Sequence, residues 1–360
     1  MQGSFCDNIV RSSTKDAMPD SLGNYLIPTS YSRIVARELG LQERELPRLL
    51  EGTGLPPHVL LAGDESRISG QQQLQVMTNA RRISNDPAFG LRLGSQLTPR
   101  SHGPIGYLAL SSPDLLTALK SLRDFLPIRI PFAQVDLHEQ GQSMACDLTI
   151  LLPAPTTQLR MLVECFALVI QSLVESFLGR ELREASIHFE YDRPAYGDRY
   201  EKYIHSELHF AQPASRVVLP AHLLTEANPE GDANSYAAAR DMCAALLEQV
   251  PVTALSMTDR VKRFLLAQPA GSVNEENVAR SLYISRRTLA RRLQAEGSSY
   301  RRIREDMMAE MAAVQLRQGQ LSVESIAVLL GYHDSANFRR AFRRWYGCSP
   351  QSFRDGVKPE

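Results

Sequence analysis

Two groups of arginines near the C-terminus have residue types and spacing that could do chemistry. Arg286, Arg287 and Arg291 flank the apolar pair Leu289/Leu293, and Arg339, Arg340 and Arg343 flank Phe338/Phe342. Each apolar pair recurs at four-residue spacing, so on a helix it forms one inward stripe and leaves the guanidiniums projecting. A guanidinium carries five donors in a planar fork, which matches the acceptor edge of guanine or the oxygens of a phosphate. The chemistry on offer is recognition of a polyanion.

The elements that must position these arginines occur twice. The first copy reads Val278-Ala279-Arg280-Ser281-Leu282-Tyr283-Ile284, then Ser285 to Leu293, closing at Gly297. The second reads Ile326-Ala327-Val328-Leu329-Leu330-Gly331-Tyr332, then Ser335 to Phe342, closing at Gly347. Each is a short apolar helix, a tight turn and an arginine-rich second helix, the grammar of a helix-turn-helix. Ala279 and Ala327 are small enough to let the paired helices approach. Gly331 supplies the backbone freedom of the second turn. Tyr283 holds that place in the first, so that turn must be built without glycine. Ser272 with Glu275 three residues on predicts a capping box at the start of the first unit.

Between the units, Ser299 to Gln318 predicts a helix with Ile303, Met307 and Met311 on one face and Gly319 as its stop. A rigid helix there holds two reading heads at fixed separation. For one arginine-rich helix a merely solvated face is the plainer reading. Two copies with matched stripes and a connecting helix favour the reading head.

Ser325-Ile326-Ala327 through Gly331-Tyr332, Phe338 to Arg344, and Gly347-Cys348-Ser349-Pro350 closely resemble the second half of an AraC/XylS-type DNA-binding domain, and the first unit resembles its other half. The resemblance implies a transcription regulator acting on double-stranded promoter DNA, with RNA polymerase as a further partner and no cofactor. The expected base readers are Arg286, Arg287, Ala290 and Arg291 on the first helix, and Ser335, Ala336, Asn337 and Arg340 on the second. Arginine pairs with guanine, asparagine with adenine, and Ala290 is small enough to meet a thymine methyl. Arg301, Arg302, Arg339, Arg343 and Arg344 are expected on phosphates. Because the heads differ, one chain should read an asymmetric site and a homodimer two copies of it.

At 360 residues, 43% hydrophobic and 22% charged, the chain suits two or three globular domains. Its longest apolar run, Met161 to Val174, is broken by Glu164 and Gln171, so no membrane span is expected. The first residues carry Asp7, Arg11, Lys15, Asp16 and Asp20 without an apolar core, which reads as a loose tail and not a secretory signal. Cys6, Cys146, Cys165, Cys243 and Cys348 are odd in number and scattered, as reduced cytoplasmic thiols are. Zero net charge hides an asymmetry. Residues 251–360 hold 18 Lys and Arg against 11 Asp and Glu, a balance of +7, and the rest holds 22 against 29, a balance of −7. Positive charge collects where the paired motif sits, as phosphate binding requires.

These patterns predict a mixed α/β (α+β) N-terminal sensor domain and an all-α C-terminal domain with two helix-turn-helix units. The expected boundaries are a tail to residue 26, a sensor and dimerisation domain over 27–226, a linker and connecting helix over 227–252, and the DNA-binding domain over 253–356. Within the sensor, helices are expected over Ser30 to Gly40, Glu43 to Leu50, Gln71 to Ile83 and Gln158 to Leu178, with a shorter one from Pro194 to Ile204. A hairpin is expected from Ile128–Leu137 and Met144–Leu152 about Gly141, and strands over Ala185–Tyr191 and Val217–Leu219. Asp86-Pro87 with Gly90-Leu91-Arg92-Leu93-Gly94, then Gly103-Pro104-Ile105-Gly106-Tyr107, then His188-Phe189 with Pro194, Tyr200 and Phe210, resemble the arabinose-binding-type sensor of AraC-like regulators. That implies a small-molecule effector, not arabinose in particular. His102 and Tyr107 are the candidate effector residues.

Other chemistry is set aside. His205 and His209 have metal-ligand spacing for a helix, but they fall at a helix-to-strand passage, so no metal site is expected. No phosphate loop or Gly-x-Ser-x-Gly elbow occurs. Alkylation-repair proteins that resemble this family carry a nucleophilic cysteine followed by histidine, and no cysteine here is followed by histidine. The chain therefore reads as a regulator and not an enzyme. The rival reading is a ligand-independent regulator whose N-terminal domain only oligomerises.

Overall fold

A computed structural model describes residues 25–151, 154–251, 255–268 and 273–355. Cys6 and Ser272 lie outside the described residues.

The N-terminal part opens with an antiparallel ribbon, β1 (Leu26–Pro28) on β2 (Arg67–Ser69), enclosing helices α1 (Ser30–Glu38) and α2 (Leu46–Leu49). Helices α3 (Gly70–Ser84), α4 (Phe89–Gly94), α5 (Pro104–Ser111) and α6 (Leu115–Phe125) follow. Next come the hairpin β3 (Ala133–Gln140) and β4 (Ser143–Ile150), the long helix α7 (Thr156–Leu178), and strands β5 (Ser186–His188), β6 (Glu207–His209) and β7 (Arg216–Pro220). The sheet order is β3-β4-β7-β5-β6, antiparallel except for the parallel β5/β6 edge pair. In β3, Val135 and Leu137 turn inward while Asp136 and His138 face out, the period of two that a half-covered strand requires.

Helix α7 buries almost its whole circumference, from Met161 to Phe177, which is why its sequence is apolar all round. It is long and apolar enough to cross a membrane, yet 78% of its apolar window is buried inside the protein. Helix α4 lies directly against it. A Cβ on Gly90 would stand 3.0 Å from the Cα of Met161, and one on Gly94 2.9 Å from the Cα of Cys165. The spaced glycines of that motif therefore serve a close helix crossing.

Some expected elements differ. Ile128 is not in a strand: Pro127 and Pro131 fix the backbone of a tight turn after α6, and the hairpin begins only at Ala133. Residues 194–204 form a 3₁₀ stretch, Gly197–Lys202, and no α-helix. The β1/β2 ribbon has no counterpart in the expectations, because three-residue strands carry almost no periodic signal.

The polar segment after α8 (Ala221–Leu224) is pinned to the sensor. The Asn228 side-chain amide donates to the carbonyls of Leu110 and Ser112 at 2.7 and 2.8 Å. Helix α9 (Ala233–Glu248) then buries Tyr236, Ala239, Cys243 and Leu247 in the same hydrophobic core as α7.

The C-terminal part is helical: α10 (Met257–Leu266), α11 (Glu275–Ser281), α12 (Arg286–Ala295), α13 (Tyr300–Gln318), α14 (Val323–Leu329), α15 (Ser335–Tyr346) and α16 (Pro350–Arg354). It has two small cores. Val261, Val278, Ala279, Leu289, Leu293 and Ile303 form one, and Met308, Ala312, Leu316, Ile326, Phe338 and Phe342 lie in the other. Helix α13 gives its first turns to one core and its later turns to the second, which makes it a shared beam. The box expected at Ser272 is made two residues later: Asn274 caps α11, with Asn277 as its reciprocal partner.

Candidate nucleic-acid interface

Each second helix starts at a side-chain cap. Ser285 accepts from the Thr288 amide, and Asp334 from the Asn337 amide at 2.6 Å. The two turns differ in length. Ala279 and Ala327 are 48 residues apart, whereas Leu289 and Phe338 are 49 apart, so the second turn carries one extra residue. Both turns need a left-handed residue. Gly331 supplies it at φ 74° and Tyr283 at φ 55°, the latter 96% exposed. For a side-chain-bearing residue that conformation costs roughly 1–2 kcal/mol. At the other end of α12, Glu296 accepts from the amides of Met257 and Thr258 at 2.7 and 2.8 Å, clamping the helix to the start of α10.

With Leu289, Leu293, Phe338 and Phe342 fully buried, the opposite faces of α12 and α15 are solvent-exposed. The arginines on and around them fall into two sets. Arg286 pairs with Glu275 at 3.0 Å, Arg339 with Glu324 at 2.6 Å, and Arg301 and Arg344 share Glu305 at 3.2 and 3.0 Å. Arg287, Arg291, Arg302 and Arg343 are exposed and have no carboxylate within ion-pair distance among the described residues. Exposed pairs contribute about 0–1 kcal/mol, so the first set can exchange glutamate for phosphate at little cost. The second set is already uncommitted.

On α15 the expected readers hold one another. Asp334 Oδ2 accepts from the Asn337 amide group at 2.5 Å, and Asn337 Oδ1 accepts from Arg340 at 2.6 Å. Ser335, Ala336 and Ala290 sit beside these arginines on the same helices, with Ala336 and Ala290 exposed. The 19-residue beam α13 is about 28 Å long at the α-helical rise. That is the scale of one DNA turn, roughly 34 Å.

The arabinose-binding domain model of AraC transcription regulators, N-terminal, matches residues 44–228, and a helix-turn-helix domain model matches 278–356. The chain belongs to the AraC-type transcription regulators. The ornithine utilization regulator of Pseudomonas aeruginosa is 28% identical over 335 residues, covering 92% of this chain and 96% of its own length. The regulator VqsM of the same organism is 35% identical over 140 residues, 38% of this chain and 42% of that one. Among solved structures, the transcriptional regulator CdpR from Pseudomonas aeruginosa aligns over 89% of this chain and 98% of its own, at a TM-score of 0.44 and 22% identity. As an AraC-type regulator the chain binds DNA through its paired helix-turn-helix units.

Between the two parts of this AraC-type chain lies a buried polar seam that the sequence reading missed. Asp124, at the end of α6, accepts from Arg123 at 2.7 and 3.1 Å and from the Lys262 ammonium of α10 at 2.5 Å. Helix α13 joins the seam with one face. Asp306 lies 3.9 Å from Arg123, Glu310 accepts from the Tyr236 hydroxyl at 2.9 Å, and Arg317 pairs with Asp114. Burial opposes charge on Asp124, but the Arg123 guanidinium and the Lys262 ammonium outweigh it and hold the carboxyl well below its usual range. Glu310 is pushed up by burial and by the Asp124 charge. A cavity of about 10 Å³, enough for one water, lies among Asp124, Arg240, Lys262 and Glu310. Asp306, Glu310 and Arg317 fall on one helical face, a polar stripe beside the apolar one, and that spacing is the signal that could have found them.

In the sensor, His102 is 6% exposed and its Nδ1 lies 2.8 Å from the Tyr31 hydroxyl, whereas Tyr107 is 51% exposed. His205 Nδ1 lies 2.6 Å from Glu175, and His209 packs on His188 with ring centroids 4.7 Å apart.

Proposed function

We propose that the chain reads an asymmetric promoter site by laying α12 and α15 in successive major-groove segments on one side of the duplex. Arg287 and Arg291, with Arg286 and Ala290, meet base edges in the first segment. Ser335, Ala336, Asn337 and Arg340 do so in the second. Arg301, Arg302, Arg339, Arg343 and Arg344 take phosphates. The observation that carries this is the set of exposed guanidiniums, Arg287, Arg291, Arg302 and Arg343, with no acidic partner among the described residues, on and beside two matched helices whose opposite stripes are buried.

The acidic N-terminal domain senses a small molecule and pairs two chains, so that effector occupancy changes how the heads meet DNA in the cytoplasm and how RNA polymerase is engaged. This draws support from the seam, which gives the sensor a direct hold on α10 and α13, and from the name of the ornithine utilization regulator, which ties that relative to a metabolite. An effector shifts such an arrangement only by its difference in affinity for the two states. The test is footprinting on genomic fragments with wild-type protein and Arg291→Ala. The reading expects protection of two adjacent groove segments, lost or blurred in the first segment by the substitution. Unchanged protection and base preference would remove α12 from the reading face.

A further inference from the structure

Around His102 the sensor domain gathers positive charge that no carboxylate among the described residues neutralises. The Arg129 guanidinium lies 5.1 Å above the Tyr31 ring and donates to the Ser30 hydroxyl at 2.8 Å. Tyr31 in turn joins His102 Nδ1 at 2.8 Å. Arg67 reaches the same place from β2, its Nη1 lying 3.4 Å from the carbonyl of Ile128, the residue before Arg129. Neither arginine has a carboxylate within ion-pair distance among the described residues. Two polar atoms are buried without a partner there, Arg129 Nε and His102 Nε2.

The backbone adds to the imbalance. Gly103 precedes α5 at φ 59° and ψ −131°, a conformation that suits glycine alone, and α5 has no side-chain cap. A Cβ on Gly103 would lie 3.6 Å from Arg129 Nη1, so a guanidinium stands against the start of that helix. A cation at a helix N-terminus faces the positive end of the macrodipole and is disfavoured. Burial and the charge of Arg129 lower the basicity of Arg67 and push His102 down to about 4, so the imidazole is neutral at pH 7. In either neutral tautomer, Nε2 is a polar atom in need of a partner. Two arginines, an uncapped helix start and an orphaned imidazole nitrogen make a place for an anion.

We propose that Arg67, Arg129 and His102 hold the carboxylate of a small organic acid, the effector of this sensor. The inference rests on the proposed effector role of the N-terminal domain. A carboxylate fits because the planar fork of arginine matches it and because a single charge accepts several donors at once. Tyr31, already stacked beneath Arg129, keeps the guanidinium from collapsing onto another partner. The site is built by β2, α1, the turn after α6 and the start of α5, so a bound acid ties together four segments distant in sequence.

The test uses the full-length chain in titration calorimetry. Probes are sodium acetate and the sodium salts of amino, hydroxy and keto acids, each beside its uncharged amide, with inorganic phosphate as a separate arm. The expected result is at least one acid that binds while its amide does not, weakened about tenfold or more by Arg129→Gln, the loss of a charge-assisted hydrogen bond. Arg67→Gln, on the exposed side of the cluster, weakens the same acid. The proposal falls if no acid binds, if amides bind equally, if phosphate alone binds, or if both variants bind like wild type. A separate gel-shift comparison isolates the underlying reading. A metabolite that changes DNA affinity equally in wild type and Arg129→Gln leaves an effector in place but removes it from this site.

Discussion

Replacing Asp124 with alanine should break the connection between sensor and DNA-binding part before either part unfolds. The side chains of Asp124 and Lys262 are each 9% exposed and that of Arg123 15% exposed. Removing the carboxylate takes the nearest counter-charge from two buried cations, leaving Arg123 with Asp306 at 3.9 Å. Breaking a buried pair in this way costs about 3–5 kcal/mol, a large share of the roughly 5–15 kcal/mol that holds a domain together. Lys262→Met should cost less, because Asp124 keeps both hydrogen bonds from Arg123. Trp345, the single tryptophan, lies on α15 and reports on the DNA-binding part alone. In urea titrations of wild type, tryptophan fluorescence and far-ultraviolet circular dichroism should change together. In Asp124→Ala the fluorescence transition should move to lower denaturant and separate from the main one. The depressed carboxyl also sets a pH window: its contribution is present above its ordinary value near 4 and is lost as pH falls below that. A loss under about 1 kcal/mol with coincident transitions would refute the claim that this seam couples the two parts.

Arg291→Ala should cost roughly 1–3 kcal/mol of DNA binding and relax preference at one base position, whereas Arg302→Ala should weaken all sequences alike and reduce the salt slope by about 1; fluorescence anisotropy over a salt series separates the two. Tyr283→Gly should raise stability by about 1 kcal/mol, since it removes left-handed strain from a side chain 96% exposed, partly offset by the freer unfolded chain; a lower melting temperature would show that the tyrosine makes contacts of its own. Burial pushes the Glu164 carboxyl up to about 7 even though Tyr200, Tyr196 and Arg160 favour its charge. Its contribution is full below about pH 4.5 and declines as pH rises through 7, by at most about 3 kcal/mol. Glu164→Gln should flatten that slope in pH-dependent unfolding, and an unchanged slope would place the titrating group elsewhere.

The paired heads were legible because each is local: a stripe at four-residue spacing, a small residue, a turn and a cap lie within some twenty consecutive residues. Helix periodicity likewise marked α7 and α13, and the alternation about Gly141 marked the hairpin. The turn at Pro127 and Pro131 was misread as strand because β-branched and aromatic residues around a proline look extended when only composition is considered. Tertiary structure alone decided which arginines are free. Arg286 and Arg287 are neighbours of one type, yet among the described residues only the first meets a glutamate, on the preceding helix. It also decided that Asp124 meets Lys262 across 138 positions, and that Arg67, His102 and Arg129 converge. Sequence records what each helix can bury along its own length. Which charges lose their water, and against which partner, depends on chain segments that no local spacing relates.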